Sequence, residues 1–167
     1  MSDTHLPRFG RALPRALVDG FEARGVDHVL HAGDWTDPMA VALLEALVPV
    51  DGVAGNNDGP ELHERFGTHA TLQLDGARIG LTHGHLGAGR TTPERAAGAF
   101  EGRPLDAIVF GHSHIPLVQR IAAGTWLANP GSPTDKRRQP DYTWGVMTIE
   151  HGAVSEIEIM RFRERVT

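Results

Sequence analysis

Four short apolar runs in this 167-residue chain end the same way, in a glycine-containing turn that carries a metal-ligating side chain. Val29-Leu30 runs into Gly33-Asp34, and Val53-Ala54 into Gly55-Asn56. Ile79 to Leu81 leads to His83-Gly84-His85, and Ile108 to Phe110 to Gly111-His112-Ser113-His114. In open α/β sheets, sites assemble beyond the carboxyl ends of strands, so the four turns are predicted to converge. Asp3-Thr4-His5 adds a fifth pair, with the same spacing as His112 and His114. Residues i and i+2 of an extended segment point to one side, so each pair can grip a single site. The glycines let the backbone turn sharply enough to aim them.

Around these turns the hydrophobic pattern alternates between the two periods. Strands are predicted at about 26–32, 49–54, 70–74, 77–82, 106–110, 117–121, 125–128, 144–150 and 153–160. Ala16, Leu17, Phe21 and Arg24 give a helix over about 14–24, stopped by Gly25. Asp37 caps a helix opened by Pro38 and running to about Leu47, and Pro60 to Phe66 makes a helical turn or two. Thr92-Pro93 opens a helix to about Phe100, Asp75-Gly76 is a hairpin turn, and His151-Gly152 joins the last two strands. Helices alternate with strands early and hairpins dominate late. The fold class is therefore α/β: two mixed sheets face to face, helices outside, one domain over 1–167.

The chain has no cysteine, which excludes disulfides, cysteine-ligated zinc, iron–sulfur clusters and thiol catalysis, and suits the reducing cytoplasm. Carboxylate, imidazole and amide oxygen without sulfur suit manganese, iron, zinc, nickel or cobalt. Asp3, His5, Asp34, Asn56, His83, His112 and His114 are too many ligands for one tetrahedral zinc. They are about right for two octahedral-leaning ions sharing a bridging carboxylate and water. A formal charge of −5 argues against a general nucleic-acid or anionic-membrane partner, and two divalent ions would bring it to about −1. No run approaches the roughly 18 apolar residues of a membrane span, and the first residues carry no signal pattern.

Read in order, Asp3-Thr4-His5, Gly33-Asp34, Gly55-Asn56-Asn57-Asp58, His83 and Gly111-His112-Ser113-His114 resemble the motifs of the calcineurin-like metallophosphoesterases. The small size and Asn129-Pro130-Gly131-Ser132 are similar to the YfcE-type phosphodiesterase branch. The resemblance implies a four-layer α/β/β/α sandwich with two metals at its rim, manganese first among them. It implies one ion held by Asp3, His5, Asp34 and His114. The other is implied at Asp34, Asn56, His83 and His112, with Asp34 bridging. A hydroxide between such ions is a strong nucleophile near neutral pH, and in-line attack on phosphorus needs no covalent intermediate. The expected reaction is hydrolysis of a small phosphodiester. A phosphomonoesterase or nucleotide hydrolase on the same site, and a non-catalytic interaction scaffold of the same fold, are the alternatives.

Two departures qualify the resemblance. Asn57 stands where the family carries His or Cys, and a carboxamide has no proton acidic enough to help an alkoxide leave. Activity should then favour good leaving groups, with His85 the substitute acid. Asp58 reads as a cap for the helix near Pro60. Secondly, only Met1-Ser2 precede Asp3, while a strand needs about 5 residues. The first strand is expected to be largely missing, through either a start downstream of the natural one or a truncation, and Asp3 and His5 to be loosely held.

The remaining histidines take blander readings. His28, His63, His69 and His151 are structural or exposed, and His31 is hydrogen-bonded behind the site without being a ligand. Lys136-Arg137-Arg138 reads as a solvated face, and Trp126, Tyr142 and Trp144 as core and loop-pinning residues. The late antiparallel strands could offer a homo-oligomer edge.

Overall fold

The computed structural model describes residues 1–121 and 124–163. Among the described residues nine strands and four helices follow the predicted order, with the first, second and fifth strands shorter than expected. They are α1 (Arg15–Ala23), β1 (Val29–His31), α2 (Pro38–Glu45), β2 (Val50–Gly52), α3 (Pro60–Phe66), β3 (His69–Leu74), β4 (Ala77–Thr82), α4 (Thr92–Gly98), β5 (Ala107–Val109), β6 (Leu117–Arg120), β7 (Trp126–Asn129), β8 (Tyr142–Glu150) and β9 (Ala153–Phe162).

Local chemistry starts the helices where the sequence says it should. The Asp37 side chain accepts from Met39 N at 2.8 Å with Pro38 in the first turn. Thr91 and Glu94 form a reciprocal capping box ahead of α4. The helix α3 is different: its cap is Gly59, with no side-chain bond, so Asp58 is free for another task.

Strands β3-β4-β5-β7-β6 form a mixed sheet in that order, parallel at β4/β5 and β5/β7 and antiparallel at both edges. The parallel pair β1/β2 and the antiparallel pair β8/β9 make up the facing layer. Alternation along each strand sends neighbours into different cores. Val29 packs with Leu17, Phe21, Leu44 and Trp144 under α1 and α2, while Leu30 turns to the inter-sheet core of Ala32, Val53, Ile79, Leu81 and Val109. Ile108 points the other way, onto Ala96 and Phe100 of α4. The layers therefore run α/β/β/α, as expected. Fully buried Leu17 and Leu44 each contribute on the order of 1.5–3 kcal/mol.

The N-terminus corrects one expectation. No strand is assigned before β1, yet Asp3 and His5 are not loose. Ala32 N donates to Met1 O, Asp3 N to Gly33 O and His5 N to Asp34 O, at 2.9–3.0 Å, so residues 1–5 run along the end of β1. From the other side the Ser132 hydroxyl donates to Asp3 O at 2.7 Å and the Thr134 hydroxyl to Thr4 O at 2.5 Å. Main-chain pairing and two hydroxyl donors hold what a strand alone was expected to hold.

Candidate metal centre

The turns after β1, β2, β4 and β5 meet the N-terminal segment at one end of the two sheets. Asp3 is fully buried and Asp34 1% exposed, and the ligand atoms of Asp3, His5 and His114 lie within 4.8 Å of one another. Those of Asp3, Asp34 and His83 form a second such group, so Asp3 is common to both. The distances are short across the cluster. His5 Nε2 is 3.3 Å from His114 Nε2 and 3.6 Å from Asp34 Oδ2, and His83 Nε2 is 3.4 Å from Asp34 Oδ2. Asn56 Oδ1 is 3.2 Å from His83 Nε2.

The predicted residues are thus brought together, with one difference in tightness. His112 sits beside the cluster, its ring 5.1 Å from that of His83, outside both compact groups among the described residues. The way the pairs converge also differs from the sequence argument. Asp3, His5, Asp34, His112 and His114 all have left-handed backbones, with φ from 45 to 67°. They are aimed by left-handed turns and not by extended segments, a conformation non-glycine residues adopt only where surrounding structure enforces it. Glycine is needed where these turns touch. A Cβ on Gly55 would strike the Asp34 carboxylate, and one on Gly111 would come 2.8 Å from Asp3 Oδ2.

Tautomers are set by the main chain. His83 Nδ1 donates to Ala32 O at 2.7 Å and His114 Nδ1 to Asp135 O at 2.5 Å, so both Nε2 atoms face the cluster. Asp3 Oδ1 is buried there 3.3 Å from His114 Nε2, with no hydrogen bond from any of the described residues. Acceptor atoms turned toward one another, with an orphaned carboxylate oxygen among them, fit a divalent cation. The charges agree. Burial opposes ionisation of Asp34, but His83 and the amide donors of Asn57 outweigh it and hold the carboxyl well below its usual range. Burial likewise opposes protonation of His83 and His114, yet Asp34 beside one and Asp3 beside the other raise both above 6.5.

Behind the cluster stand residues whose roles the sequence did not show. Asp58 accepts from Asp34 N, Thr36 N and Gly55 N, tying the turns after β1 and β2 together in place of capping α3. Asn129 donates to Gly111 O, and its Oδ1 accepts from Gly131 N, both at 2.8 Å. The Asn-Pro-Gly-Ser signal was visible but its target was not. His31, by contrast, takes the place the sequence suggests, hydrogen-bonded behind the site and neutral: Gly33 N donates to its Nδ1 and its Nε2 donates to the Thr4 hydroxyl, while its ring stacks on Trp35 at 3.5 Å. Burial lowers it well below 6.5.

Asn57 and His85 take different places. Asn57 donates to both oxygens of Asp34, from N at 2.8 Å and from Nδ2 at 2.7 Å. His85 lies with its ring 5.2 Å from His83 and its Nδ1 buried without a hydrogen-bond partner among the described residues; burial and the charges of His83 and His112 lower its pKa to about 4. His28 is elsewhere, paired with Asp51 at 2.9 Å. Beside His5 and His114 an open hollow of about 550 Å³ is lined by Phe9, Asp135, Lys136, Arg137, Tyr142 and Arg163. No helix among the described residues is long and apolar enough to cross a membrane.

A family model described as the calcineurin-like phosphoesterase superfamily domain matches residues 1–152. A Methanothermobacter thermautotrophicus protein named probable metallophosphoesterase is 37% identical over 140 residues, 82% of this chain and 77% of its own. The solution structure of a Thermotoga maritima protein is 30% identical with a TM-score of 0.68, covering 97% of this chain and 96% of that one. Entamoeba histolytica Vps29 complexed with zinc is 20% identical with a TM-score of 0.72, over 96% and 95% of the two chains.

Proposed function

Since the chain belongs to the calcineurin-like phosphoesterase superfamily, we propose that it hydrolyses a small phosphodiester at a centre of two divalent transition ions. The observation that carries this is the pair of buried ligand groups, Asp3-His5-His114 and Asp3-Asp34-His83, with Asp34 Oδ2 lying between them, 3.6 Å from His5 Nε2 and 3.4 Å from His83 Nε2. One ion would be held by Asp3, His5, Asp34 and His114, the other by Asp34, Asn56, His83 and His112. Manganese suits this oxygen and nitrogen set. The Vps29 relative is a zinc complex by its description, which supports cation binding on this fold.

When bound, the ions supply Lewis acidity toward phosphoryl oxygens and water activated near neutral pH. The chain's own groups do the rest. Asp3 and Asp34 bring the negative charge that retains cations in a buried setting. Ala32 O and Asp135 O fix the imidazoles that face them. The cations of Lys136, Arg137 and Arg163 line the hollow beside the cluster and favour an anionic substrate of modest size. Asn57 is engaged with Asp34 and has no acidic proton to give. His85 is neutral at pH 7, so it can protonate a leaving group only when a bound phosphate's negative charge raises it. Both facts favour aryl and other good leaving groups, and diesters over monoesters. We propose the cytoplasmic setting that a chain without cysteine suits and the absence of nucleic-acid or membrane partners that the charge suggests, with self-association left to the antiparallel edges.

The test is metal content measured together with turnover of an aryl phosphodiester and an aryl phosphomonoester in added Mn²⁺. Two ions per chain, and diester hydrolysis that disappears in Asp34→Ala and His83→Ala, are expected. Faster monoester turnover would move the reading to a phosphomonoesterase. Absence of metal and turnover would leave a scaffold built on the fold.

A further inference from the structure

The hollow beside His5 and His114 is lined by two aromatic rings, Phe9 and Tyr142, and three cations, Lys136, Arg137 and Arg163. Its volume of about 550 Å³ falls within the roughly 300–1,000 Å³ of small-molecule sites, more than a phosphate group alone needs. Two contacts join it to the metal centre. The Phe9 ring stands edge-on to His5 at 6.1 Å, and Asp135, on the wall, accepts from His114 Nδ1 through its carbonyl. The sequence reads Lys136-Arg137-Arg138 as a solvated face, yet the first two residues are wall residues and Arg138 is not.

Arg137 is singled out by its backbone. Among the described residues nine non-glycine positions have φ between 45 and 80°. Five are the ligands named above, Thr36 is bonded to His5, and Asp75 and His151 lie in hairpin turns. The ninth is Arg137, φ 48°, whose N donates to Asp135 Oδ1 at 3.3 Å. Positions held in this costly conformation gather at functional sites. The Arg137 charge is felt at the centre, where it opposes protonation of His112 and His114. Nor do the charges of the hollow cancel. Arg137 faces Asp135 at 3.9 Å and Arg163 faces Asp141 at 3.5 Å, while Lys136 is bonded to Pro140 O and lies over the Tyr142 ring. Three cations against two carboxylates leave one positive charge in a chain whose formal charge is −5.

The position of His85 says which part of a substrate arrives there. In-line displacement sends the leaving group toward its acid, and His85 stands at the side of His83 and His112, its ring 5.2 and 6.2 Å from theirs. The hollow lies against His5 and His114 instead. The group that reaches it is the one the phosphate keeps.

We propose that the hollow selects the retained group of the phosphodiester, and that this group is an aromatic ring bearing one further negative charge. The ring lies against Phe9 and Tyr142, and its anionic substituent meets Lys136 and Arg137. This rests on the phosphodiesterase reading above and adds the class of ester to it.

The test keeps 4-nitrophenolate as the leaving group and varies the retained group among methyl, 4-carbamoylphenyl and 4-carboxyphenyl. The first pair isolates the ring, and the second pair isolates the charge. In the manganese-loaded chain kcat/KM should rise about threefold to tenfold from methyl to carbamoylphenyl, and about tenfold more from carbamoylphenyl to carboxyphenyl. Arg137→Asn, whose new residue tolerates the left-handed backbone, should bring the carboxyl-to-carbamoyl ratio close to one and keep the ring step. Tyr142→Leu should shrink the ring step and keep the charge step, with Phe9→Leu in its place if the Tyr142 variant melts early. Manganese content should be the same in all of them. Ratios near one in the unaltered chain, or ratios that no variant changes, would overturn the proposal. Binding of dimethyl, methyl 4-carbamoylphenyl and methyl 4-carboxyphenyl phosphate, read by calorimetry, separates this result from failure of the phosphodiesterase reading. The same ranking in binding without any turnover would sink that reading and uphold the hollow, whereas turnover without ranking would do the reverse.

Discussion

The carboxylate of Asp58 accepts the main-chain N–H of Asp34 at 2.9 Å, and that one bond lies behind the whole metal centre. The same carboxylate takes Thr36 N and Gly55 N, each at 2.7 Å, so the turns after β1 and β2 close on a single side chain. Asp34 has a left-handed backbone, φ 59°, as does Thr36, φ 80°. Such residues keep that conformation only when their surroundings hold them. Burial raises Asp58, and the three N–H donors work against that rise.

Asp58→Ala should therefore act on Asp34 without touching a ligand. Three charge-assisted bonds are lost, and a stability decrease of about 3 kcal/mol is expected by urea titration. Manganese affinity should fall about 10–100-fold by calorimetry. Asp58→Asn, which keeps one acceptor oxygen, should fall between.

Ser132→Ala tests the hold on the N-terminal ligands. Its hydroxyl donates to Asp3 O and accepts from Asp135 N at 2.8 Å, so it couples Asp3 to the carbonyl that orients His114. We expect a loss of about tenfold in metal affinity with a stability change near 1 kcal/mol. Unchanged metal binding would mean that main-chain pairing and the Thr134 hydroxyl hold Asp3 without Ser132.

The pH dependence should reverse with metal. His83 and His114 are raised above 6.5 in the metal-free chain. Their contribution to stability is then fully present below 6.5 and is lost as pH rises through the raised values. A bound ion needs both Nε2 lone pairs, so metal affinity should increase over that same rise, by up to about 100-fold per pH unit where two protons leave. Chemical unfolding of the metal-free and manganese-loaded protein from pH 6.5 upward should show slopes of opposite sign. Parallel slopes would be the contrary result.

Asn57→His restores an acidic ring where the structure has an amide bonded to Asp34. Turnover of an alkyl phosphodiester should rise about 10²-fold or more, since general-acid help is typically worth 10²–10⁴. Aryl diester turnover should change little, because a phenolate leaves without a proton. An equal change in both substrates would indicate that the substitution acts through Asp34.

Much of this was legible before any coordinates. Hydrophobic period, the Asp37 cap, the helix start at Thr92-Pro93 and the Asp75-Gly76 turn give the elements, because each rests on contacts within a few residues. The ligand types at the ends of apolar runs give the centre, since strand ends are where such turns gather. What the sequence could not show is what holds them. Asp58 read as a helix cap because its nearest backbone partners lie ahead of α3; two of its three actual partners, Asp34 and Thr36, are more than twenty residues away and meet it only after β1 and β2 pair. Asp3 and His5 read as loose because so little chain precedes them. Ser132 and Thr134, about 130 residues on, pin them. Local order is written in neighbouring residues, whereas the fixing of a buried, charged cluster depends on donors that distant segments deliver, and only the folded sheets bring those together.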